Sequence, residues 1–326
     1  MSGDKVDVLF VGPAKPVILD GLADAFTVHR LVEAPEPESF LAAIADKIRG
    51  IAISYMVPGV NGEFMARLPR LEIVSTFGVG YDHVDAAWAG RHGIIVTNTP
   101  EVLTDEVADT ALGLLLCTLR ELPQAERYLR AGRWPEAPYP LTKTTLRNRT
   151  IGMVGMGRIG KAIARRLDGF GAPVVYHTRR HQPDLPYRYF PDLITMAQAV
   201  DTLMVIVPGG PETRHLINAK VLEALGPEGI LINIARGSVV DEAALIKALQ
   251  DRTIYSAGLD VFANEPAVPP ELLAMDHVVL LPHVASGSVY TRARMDQLVV
   301  DNLLSWFDGK GPLTPVPETP WPPLRT

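Results

Sequence analysis

Short apolar runs alternate with helical patterns along the first hundred residues of the chain. Four segments have the length and composition of buried strands: VDVLFV (6–11), IAIS (51–54), EIVST (72–76) and IIVT (94–97). The segments between them carry apolar residues at helical spacing: PVILDGLADAF, ESFLAAIADKIR and HVDAAWAGRHG. Alternation of strands with helices predicts a parallel sheet that is covered by helices.

The same alternation starts again at residue 150 and is more complete. Six strand-like segments follow one another: TIGMVG, PVVYH, TLMVIV, ILINIA, YSAGLDV and VVLLPH. Helical patterns separate them at 158–169, 192–199, 218–225 and 241–250. We therefore predict an α/β protein with two doubly wound parallel-sheet domains, the second of them a Rossmann domain.

Two long helical patterns, about 101–131 and 288–308, lie outside both sets of strands. The second of them needs a partner surface, and the simplest docking returns it to the first domain. A discontinuous, flavodoxin-like first domain (1–98 and 287–326) would then enclose an inserted Rossmann domain (99–286). The Pro-rich tail TPVPETPWPPLRT is predicted to be an extended strap on the surface.

Composition argues against several classes of protein. The chain has 326 residues, 47% of them hydrophobic, and a net charge of −6, so a general nucleic-acid or anionic-membrane surface is not expected. No apolar stretch reaches the ~18–20 residues of a membrane span. Cys117 is the one cysteine, which fits a reducing compartment, and no Cys/His cluster has the spacing of a metal site. We expect a cytoplasmic protein without metal, nucleic-acid or membrane partners.

A glycine-rich turn begins the second set of strands. The strand TIGMVG leads into a helix through the turn Gly155-Met156-Gly157-Arg158-Ile159-Gly160. Gly155 permits a tight turn, Gly157 lets backbone N–H groups approach a pyrophosphate, and Gly160 lets helix and strand pack closely. The helix N-terminus favours the anion. This turn, placed inside a βαβ unit, predicts a dinucleotide site.

The residues after the next strand indicate which dinucleotide is bound. An acid about 20 residues after the turn would bind a ribose 2′-hydroxyl, but no acidic residue occurs between Asp168 and Asp184. Thr178, Arg179 and Arg180 stand in that place. Arginine pairs with phosphate through charge-assisted, often bidentate hydrogen bonds, so we predict NADP(H). The alternative is that both arginines are solvated loop cations.

Three polar residues follow strands of the second domain: Arg236 in INIARGSVVDE, Glu265 in GLDVFANEP and His283 in LLPHVASGS. Ligands of open α/β sheets bind outside the carboxyl ends of the strands, so the three side chains should face one crevice. Arg236 offers a planar fork of donors to a carboxylate. His283 could protonate a carbonyl oxygen, and a carboxylate at Glu265 would favour the protonated ring.

Several sequence motifs, spread over most of the chain, resemble those of a known family. The motifs are FGVGYDHVD (77–85), TNTP and LTDEVADTALGLLL (97–116), IGMVGMGRIG (151–160), INIARG (232–237), GLDVFANEP (258–266) and LPHVASG (281–287). They occur in the order typical of the D-isomer-specific 2-hydroxyacid dehydrogenases. Within that family, FGVGYDHVD, the basic YHTRR and VASGSVYTRARM are most similar to the NADPH-preferring glyoxylate/hydroxypyruvate reductases.

The resemblance implies reduction of small 2-keto acids such as glyoxylate and hydroxypyruvate by NADP(H), with the catalytic residues Arg236, Glu265 and His283. It implies that the Val79 and Gly80 N–H groups bind the substrate carboxylate and that Asp260 contacts the nicotinamide carboxamide. Further substrate contacts are expected at Met56, Trp134 and Ser286, beside Arg236 and His283. Further cofactor contacts are expected at Thr104, Val207, Pro208, Thr213, Ile234 and Ala235, beside Arg236 and His283.

The segment VADTALGLLLCTL predicts an interface, because it is hydrophobic nearly all round and should be buried on more than one side. We expect its own domain on one side and a twin subunit on the other, in agreement with the homodimer that the resemblance implies. Trp134 lies in the loop LRAGRWPEAPYP just after it. This loop is expected to reach over the partner, where Trp134 would form an apolar wall with Met56 at the rim of the substrate pocket.

Two other interpretations stay open. The same fold occurs in dinucleotide-sensing, corepressor-like binding proteins of the family. The pair Arg179-Arg180 is better suited to binding NADPH than to sensing NAD. Among enzymes, reductases of 2-ketogluconate and of hydroxyphenylpyruvate are the alternatives.

Overall fold

The structure, a computed structural model, describes residues 5–55 and 59–322. Met56, for which a substrate contact is expected, lies outside the described residues. The chain divides into two compact units, one formed by Met1–Leu103 with Ser288–Thr326 and the other by Thr104–Gly287. Each unit has a parallel sheet of its own.

The first unit contains a five-stranded sheet. Its strands are β1 (Val6–Val11), β2 (Phe26–Arg30), β3 (Ile48–Ile53), β4 (Ile73–Thr76) and β5 (Ile95–Thr97). All pairs are parallel, in the order β2-β1-β3-β4-β5. The direction of the order reverses between β1 and β3, which confirms the predicted flavodoxin-like arrangement.

The helices of the first unit come from both ends of the chain. They are α1 (Pro16–Ala23), α2 (Pro37–Ile44), α3 (Gly62–Ala66), α4 (Ala86–Arg91) and α12 (Val289–Phe307). The last of them, α12, packs against the sheet, where the Ser75 hydroxyl donates to the Val299 carbonyl at 3.0 Å. Gly50 allows this approach, because a Cβ atom there would lie 3.2 Å from the Leu303 side chain.

Two element boundaries of this unit differ from the prediction. The apolar spacing predicts helices that run through Phe26 and through Arg49, but α1 ends at Ala23 and α2 at Ile44. Phe26 and Ile48 instead begin β2 and β3, which pair with β1. The sheet supplies partners for backbone groups at positions whose apolar spacing also fits a helix.

The second unit contains a seven-stranded sheet. Its strands are β6 (Ile151–Val154), β7 (Val174–His177), β8 (Arg188–Tyr189), β9 (Thr202–Val205), β10 (Ile230–Asn233), β11 (Ser256–Leu259) and β12 (Val279–Leu280). Their order is β12-β11-β10-β9-β6-β7-β8. This is the Rossmann order with one added strand, so the predicted fold is confirmed. The two-residue edge strand β8 is too short to leave a pattern in the sequence.

The helices of the second unit are α5 (Thr104–Arg120), α6 (Leu122–Arg130), α7 (Arg158–Gly169), α8 (Leu193–Gln198), α9 (Ala219–Leu225), α10 (Glu242–Gln250) and α11 (Pro270–Leu273). The prediction of one helix over 101–131 is wrong. Glu121 has a left-handed backbone (φ 51°) and separates α5 from α6. Pro123 explains the break, since its ring cannot continue the hydrogen-bond ladder of α5.

Across residues 5–55 and 59–322, no helix is long and apolar enough to cross a bilayer. In the same ranges, no group of three or more His, Cys, Asp or Glu side chains is placed to hold a metal ion.

Candidate active site

The three catalytic candidates follow adjacent strands of the second unit. Arg236 comes after β10, Glu265 after β11 and His283 after β12. These strands are neighbours in the sheet and run parallel, so their carboxyl ends share one edge. Residues up to 47 positions apart in sequence are thereby brought to one site.

His283 and Glu265 form a hydrogen-bonded pair. The distance between His283 Nδ1 and Glu265 Oε2 is 2.6 Å, and the side chains are 44% and 31% exposed. An ionised carboxylate can only accept, so Nδ1–H donates and Nε2 is the nitrogen left for a ligand. Glu265 Oε1 accepts the Phe262 N–H at 3.0 Å. The carboxylate is held at both oxygens, which fixes the orientation of the imidazole.

Opposing effects act on the Glu265 carboxyl. Burial raises its pKa, whereas hydrogen bonds from His283 and the Phe262 N–H, with the positive charges of His283 and Arg236, lower it. The net result is a pKa below the usual value for glutamate. Glu265 therefore stays negatively charged at neutral pH.

Local packing places Arg236 beside this pair. Asn233 Nδ2 donates to the Arg236 carbonyl at 3.1 Å, and Asn233 Oδ1 accepts the Ala235 N–H. Gly237 permits a close approach, because a Cβ atom there would lie 1.9 Å from the carbonyl of Phe262. The loop that carries Arg236 thus lies directly against the loop that leads to Glu265. Asn233, which we did not select from the sequence, holds that loop in place.

Asp260 orders the chain around His283. Its carbonyl accepts the His283 N–H at 2.9 Å, and its carboxylate oxygens accept the Val284 and Ala285 N–H groups at 2.8 and 3.1 Å. His283 itself has a left-handed backbone (φ 52°). Burial raises the pKa of Asp260 against these N–H groups. Its contact with a nicotinamide stays a prediction; what it does in this structure is to hold the His283 turn.

The glycine-rich turn has the geometry that a dinucleotide requires. Gly155 has φ 106°, and a Cβ atom there would lie 2.8 Å from the Ile206 carbonyl oxygen. At Gly160 a Cβ atom would lie 2.6 Å from the Gly155 oxygen, whereas at Gly157 it would meet nothing within 4 Å. Gly157 caps α7 without a side-chain hydrogen bond. The N-terminus of α7 is therefore open to an anion, and the residues fit a pyrophosphate.

The predicted cation site has a carboxylate next to it. Arg179 Nη1 lies 2.6 Å from Glu212 Oε2, and both side chains are well exposed. Glu212 comes from the loop after β9, so the absence of an acid between Asp168 and Asp184 does not leave the site without one. The Thr178 hydroxyl donates to the Arg180 carbonyl at 2.7 Å and shapes the turn.

The other predicted cofactor residues lie on the same unit. Thr104 is the first residue of α5, and Arg158 and Ile159 begin α7. Val207, Pro208 and Thr213 form the loop after β9, where the Thr213 hydroxyl donates to the Pro208 carbonyl at 2.6 Å. Three more side chains are largely buried: Met156, Ile234 and Ala235. Direct contacts of these residues with a cofactor stay predictions.

The remaining substrate candidates lie in three loops. Val79 and Gly80 follow β4 in the first unit, and Ser286 follows β12 in the second. Trp134 lies in the loop after α6 and is 65% exposed. Two hydrogen bonds hold the part of the loop that follows Trp134. The Tyr139 hydroxyl donates to Glu121 at 2.9 Å, and the Tyr128 hydroxyl donates to the Ala137 carbonyl at 2.8 Å.

The chain is similar to known reductases over most of its length. Residues 112–285 match the family model described as D-isomer specific 2-hydroxyacid dehydrogenase, NAD binding domain. The chain is 43% identical to glyoxylate/hydroxypyruvate reductase A HPR2 of Arabidopsis thaliana and 42% identical to 2-ketogluconate reductase of Gluconobacter oxydans. Each alignment covers 96% of this chain and 99% of the relative.

One solved structure is similar over nearly its whole length. It is the NADPH-dependent glyoxylate/hydroxypyruvate reductase SmGhrB from Sinorhizobium meliloti in complex with NADP and malonate. The identity is 53%, the TM-score is 0.92, and the match covers 97% of this chain and 98% of that one.

Proposed function

Because the chain belongs to the D-isomer-specific 2-hydroxyacid dehydrogenase family, we propose that it reduces small 2-keto acids with NADPH. Glyoxylate and hydroxypyruvate are the first candidates, and glycolate and D-glycerate are the products. The observation that carries the proposal is the His283–Glu265 pair, 2.6 Å long, at the sheet edge that also holds Arg236. The names of the Arabidopsis and Sinorhizobium relatives support this substrate class.

The residues of the site divide the chemistry between them. NADPH held at the glycine-rich turn would supply the hydride for the carbonyl carbon of the keto acid. His283 donates a proton from Nε2 to the carbonyl oxygen. Glu265 holds the imidazole ring through its Nδ1 atom. Arg236 binds the substrate carboxylate through its fork of N–H donors. In the opposite direction, His283 takes the proton of the hydroxyl group.

A panel of 2-keto acids tests the proposal directly. Oxidation of NADPH, followed by its absorbance, should be fastest with glyoxylate or hydroxypyruvate. Oxidation of NADH with the same keto acids should be slower. Faster turnover of 2-ketogluconate or hydroxyphenylpyruvate would assign the enzyme to one of these alternatives. Tight NADPH binding without turnover of any 2-keto acid would contradict the proposed reductase activity. It would favour a dinucleotide-sensing, corepressor-like protein.

The Glu265 charge gives a prediction on pH. Replacing Glu265 by Gln should move the alkaline limit of the reduction toward lower pH. The Glu265 carboxylate accepts from His283 Nδ1–H at 2.6 Å, a bond that is stronger when the ring is cationic, and reduction needs the proton that the cationic ring carries. Glutamine keeps an accepting oxygen but not the charge, so the extra strength of the bond to a cationic ring is lost. The measurement is kcat/KM for glyoxylate as a function of pH.

Glu242→Gln is the matched control, because Glu242 Oε2 accepts the Ala263 N–H at 3.0 Å in the same loop. This variant should keep the wild-type pH profile. An unmoved profile in Glu265→Gln would show that Glu265 does not tune His283.

We also propose that the protein is a cytoplasmic homodimer, since Cys117 is its one cysteine and apolar side chains remain on its surface. Helix α5 itself buries most of its apolar side chains within the second unit, so it offers less free surface than its sequence suggests. Four exposed apolar residues lie just beyond it, on α6 and the following loop: Leu122, Leu129, Trp134 and Leu141. Leu122 and Leu129 are the proposed centre of the interface, and the loop that carries Trp134 and Leu141 is proposed to reach over the partner.

The exposed Trp134 gives a prediction on substrate size. Trp134→Ala should remain a dimer. Its selectivity, the ratio of kcat/KM for glyoxylate to that for bulkier keto acids, should fall about tenfold, because the apolar wall that Trp134 is proposed to form discriminates substrates by size. Sedimentation measures assembly, and kcat/KM across keto acids of increasing size measures selectivity. Leu141→Ala, in the same loop and 97% exposed, is the control and should leave selectivity unchanged. A monomeric wild type would exclude the arrangement.

A further inference from the structure

Hydrogen bonds from the segment after β5 hold the loop that follows β4. The Gly78 carbonyl accepts the Thr99 N–H at 2.8 Å, and the Gly78 N–H donates to the Thr99 hydroxyl at 2.9 Å. The Val79 carbonyl accepts Asn98 Nδ2 at 2.8 Å. We call residues 78–81 the carboxylate loop, in line with the proposed function.

These bonds set the direction of the two N–H groups that would bind substrate. In a trans peptide the N–H points opposite to the carbonyl of the same peptide plane. The Gly78 carbonyl points at Thr99, so the Val79 N–H points away from it. The Val79 carbonyl points at Asn98, so the Gly80 N–H also points away from the segment that holds the loop. Both donors are thereby turned to the side of the loop opposite residues 98–99.

The C-terminal strap, residues 313–319, holds that supporting segment in turn. The Thr314 carbonyl accepts the Asn98 N–H at 3.3 Å, and the Thr314 hydroxyl donates to the Asn98 carbonyl at 2.6 Å. Asn302 of α12 fixes Thr314, accepting its N–H at 3.1 Å and donating to its hydroxyl at 2.9 Å. Asn98, whose side chain holds Val79, is thus held at both main-chain groups by the strap.

The strap is built into the edge of the sheet. Pro315 forms an antiparallel bridge with Thr97, and the Val316 N–H donates to the Val96 carbonyl at 2.9 Å. The Thr319 hydroxyl accepts the Val96 N–H at 3.0 Å. Val316 and Thr319 are both buried. The strap therefore continues the sheet beside β5, with the side chains of Val316 and Thr319 packed inside.

The far end of the strap contacts the carboxylate loop itself. The Tyr81 hydroxyl donates to Glu318 Oε2 at 2.9 Å. Burial and this carboxylate raise the pKa of Tyr81 to about 12, so the hydroxyl keeps its proton. The Glu318 main chain lies close to α4, since a Cβ atom at Gly90 would be 2.4 Å from the Glu318 carbonyl oxygen. The loop is thus held at Val79 through Asn98 and at Tyr81 through Glu318.

We propose that the C-terminal strap is a positioning element for substrate binding, which aims the Val79 and Gly80 N–H groups at the keto-acid carboxylate. Tyr81, Glu318, Asn98 and Thr314 are positioning residues in this role. The proposal rests on the proposed function, which assigns the substrate carboxylate to residues 79–80. Its consequence is that the strap affects the KM for the keto acid and leaves the affinity for NADPH unchanged.

The Tyr81–Glu318 pair provides the test. Tyr81→Phe and Glu318→Ala should each raise the KM for glyoxylate by about three- to tenfold, as expected for one lost hydrogen bond, with kcat changed less than KM. The double variant should be no worse than either single one, because both remove the same bond. Glu318→Gln keeps an accepting oxygen and should recover part of the loss. The Kd of NADPH should stay at the wild-type value in all four.

The matched control is Tyr187→Phe, because the Tyr187 hydroxyl donates to a carboxylate oxygen of Asp168 at 2.6 Å in the second unit. It removes the same kind of pair and should leave the KM for glyoxylate unchanged. A KM that is unchanged in Tyr81→Phe and Glu318→Ala would overturn the role of the strap.

Amide hydrogen exchange separates this failure from failure of the proposed site. Oxamate, an amide analogue of glyoxylate that cannot be reduced, should slow exchange at residues 78–81 of the wild-type protein in the presence of NADP. Faster exchange of the same amides in ligand-free Glu318→Ala would support the strap. No protection by oxamate in the wild type would remove the carboxylate site from this loop and overturn both assignments.

Discussion

Replacing His283 by alanine is expected to lower kcat for glyoxylate reduction by about 10²–10⁴-fold, the usual contribution of a general acid. The proton that the carbonyl oxygen takes up then has to come from water. NADPH binding should change little, because the glycine-rich turn and the arginines at 179–180 follow other strands of the sheet, β6 and β7. Steady-state rates measure the loss, and titration of NADPH fluorescence measures binding.

The control for this experiment is His92→Ala. His92 stacks on Trp88 in the first unit, with ring centroids 3.7 Å apart, and it has no place in the proposed chemistry. It should keep the wild-type kcat. If His283→Ala retained most of the wild-type kcat, the proton would have to come from another group, and the assignment of His283 would be wrong.

Replacing Arg179 and Arg180 together by alanine is expected to abolish most of the preference for NADPH over NADH. Each charge-assisted hydrogen bond to the 2′-phosphate is worth about 1.5–3 kcal/mol. Loss of one such bond corresponds to roughly 10–150-fold in kcat/KM with NADPH, whereas kcat/KM with NADH, which has no such phosphate, should change little. The measurement is kcat/KM for both cofactors at saturating glyoxylate.

Glu212 supplies the control for the cofactor experiment. It pairs with Arg179 at 2.6 Å, but the two side chains are 86% and 73% exposed, and pairs this open to water contribute little. Glu212→Gln should therefore leave the NADPH preference in place or raise it slightly, since Arg179 then has no competing carboxylate. Equal wild-type efficiency with NADPH and NADH would contradict the assignment of the arginines.

The sequence alone was sufficient for much of the site on the second unit. Strands of a parallel sheet share one edge for their carboxyl ends, so motifs that follow consecutive buried strands are predicted to meet. This places Arg236, Glu265 and His283 together without knowledge of any distance. The helix from Arg158 to Gly169 has the predicted bounds, because a glycine-rich turn marks its start and its apolar spacing is regular.

Other features are invisible in the local pattern. The break at Glu121 is signalled only by Pro123, and β8 consists of two residues at a sheet edge. The carboxylate beside Arg179 comes from Glu212, which is 33 residues away in sequence. No periodicity or turn signal connects such segments, because their proximity follows from the order of the strands in the folded sheet.

What the sequence by itself determined is the fold class, the dinucleotide turn and the shared sheet edge of the three catalytic candidates, since each depends on local spacing or on the rule for parallel strand ends. What only the tertiary structure decided is how these groups are held. The Asp260 carboxylate accepts a backbone N–H group of the turn at His283. The C-terminal strap contacts Asn98 and Tyr81, which lie more than 200 residues away in sequence. Hydrogen bonds between such distant segments depend on the position of every intervening element, and that position exists only once the sheets have formed.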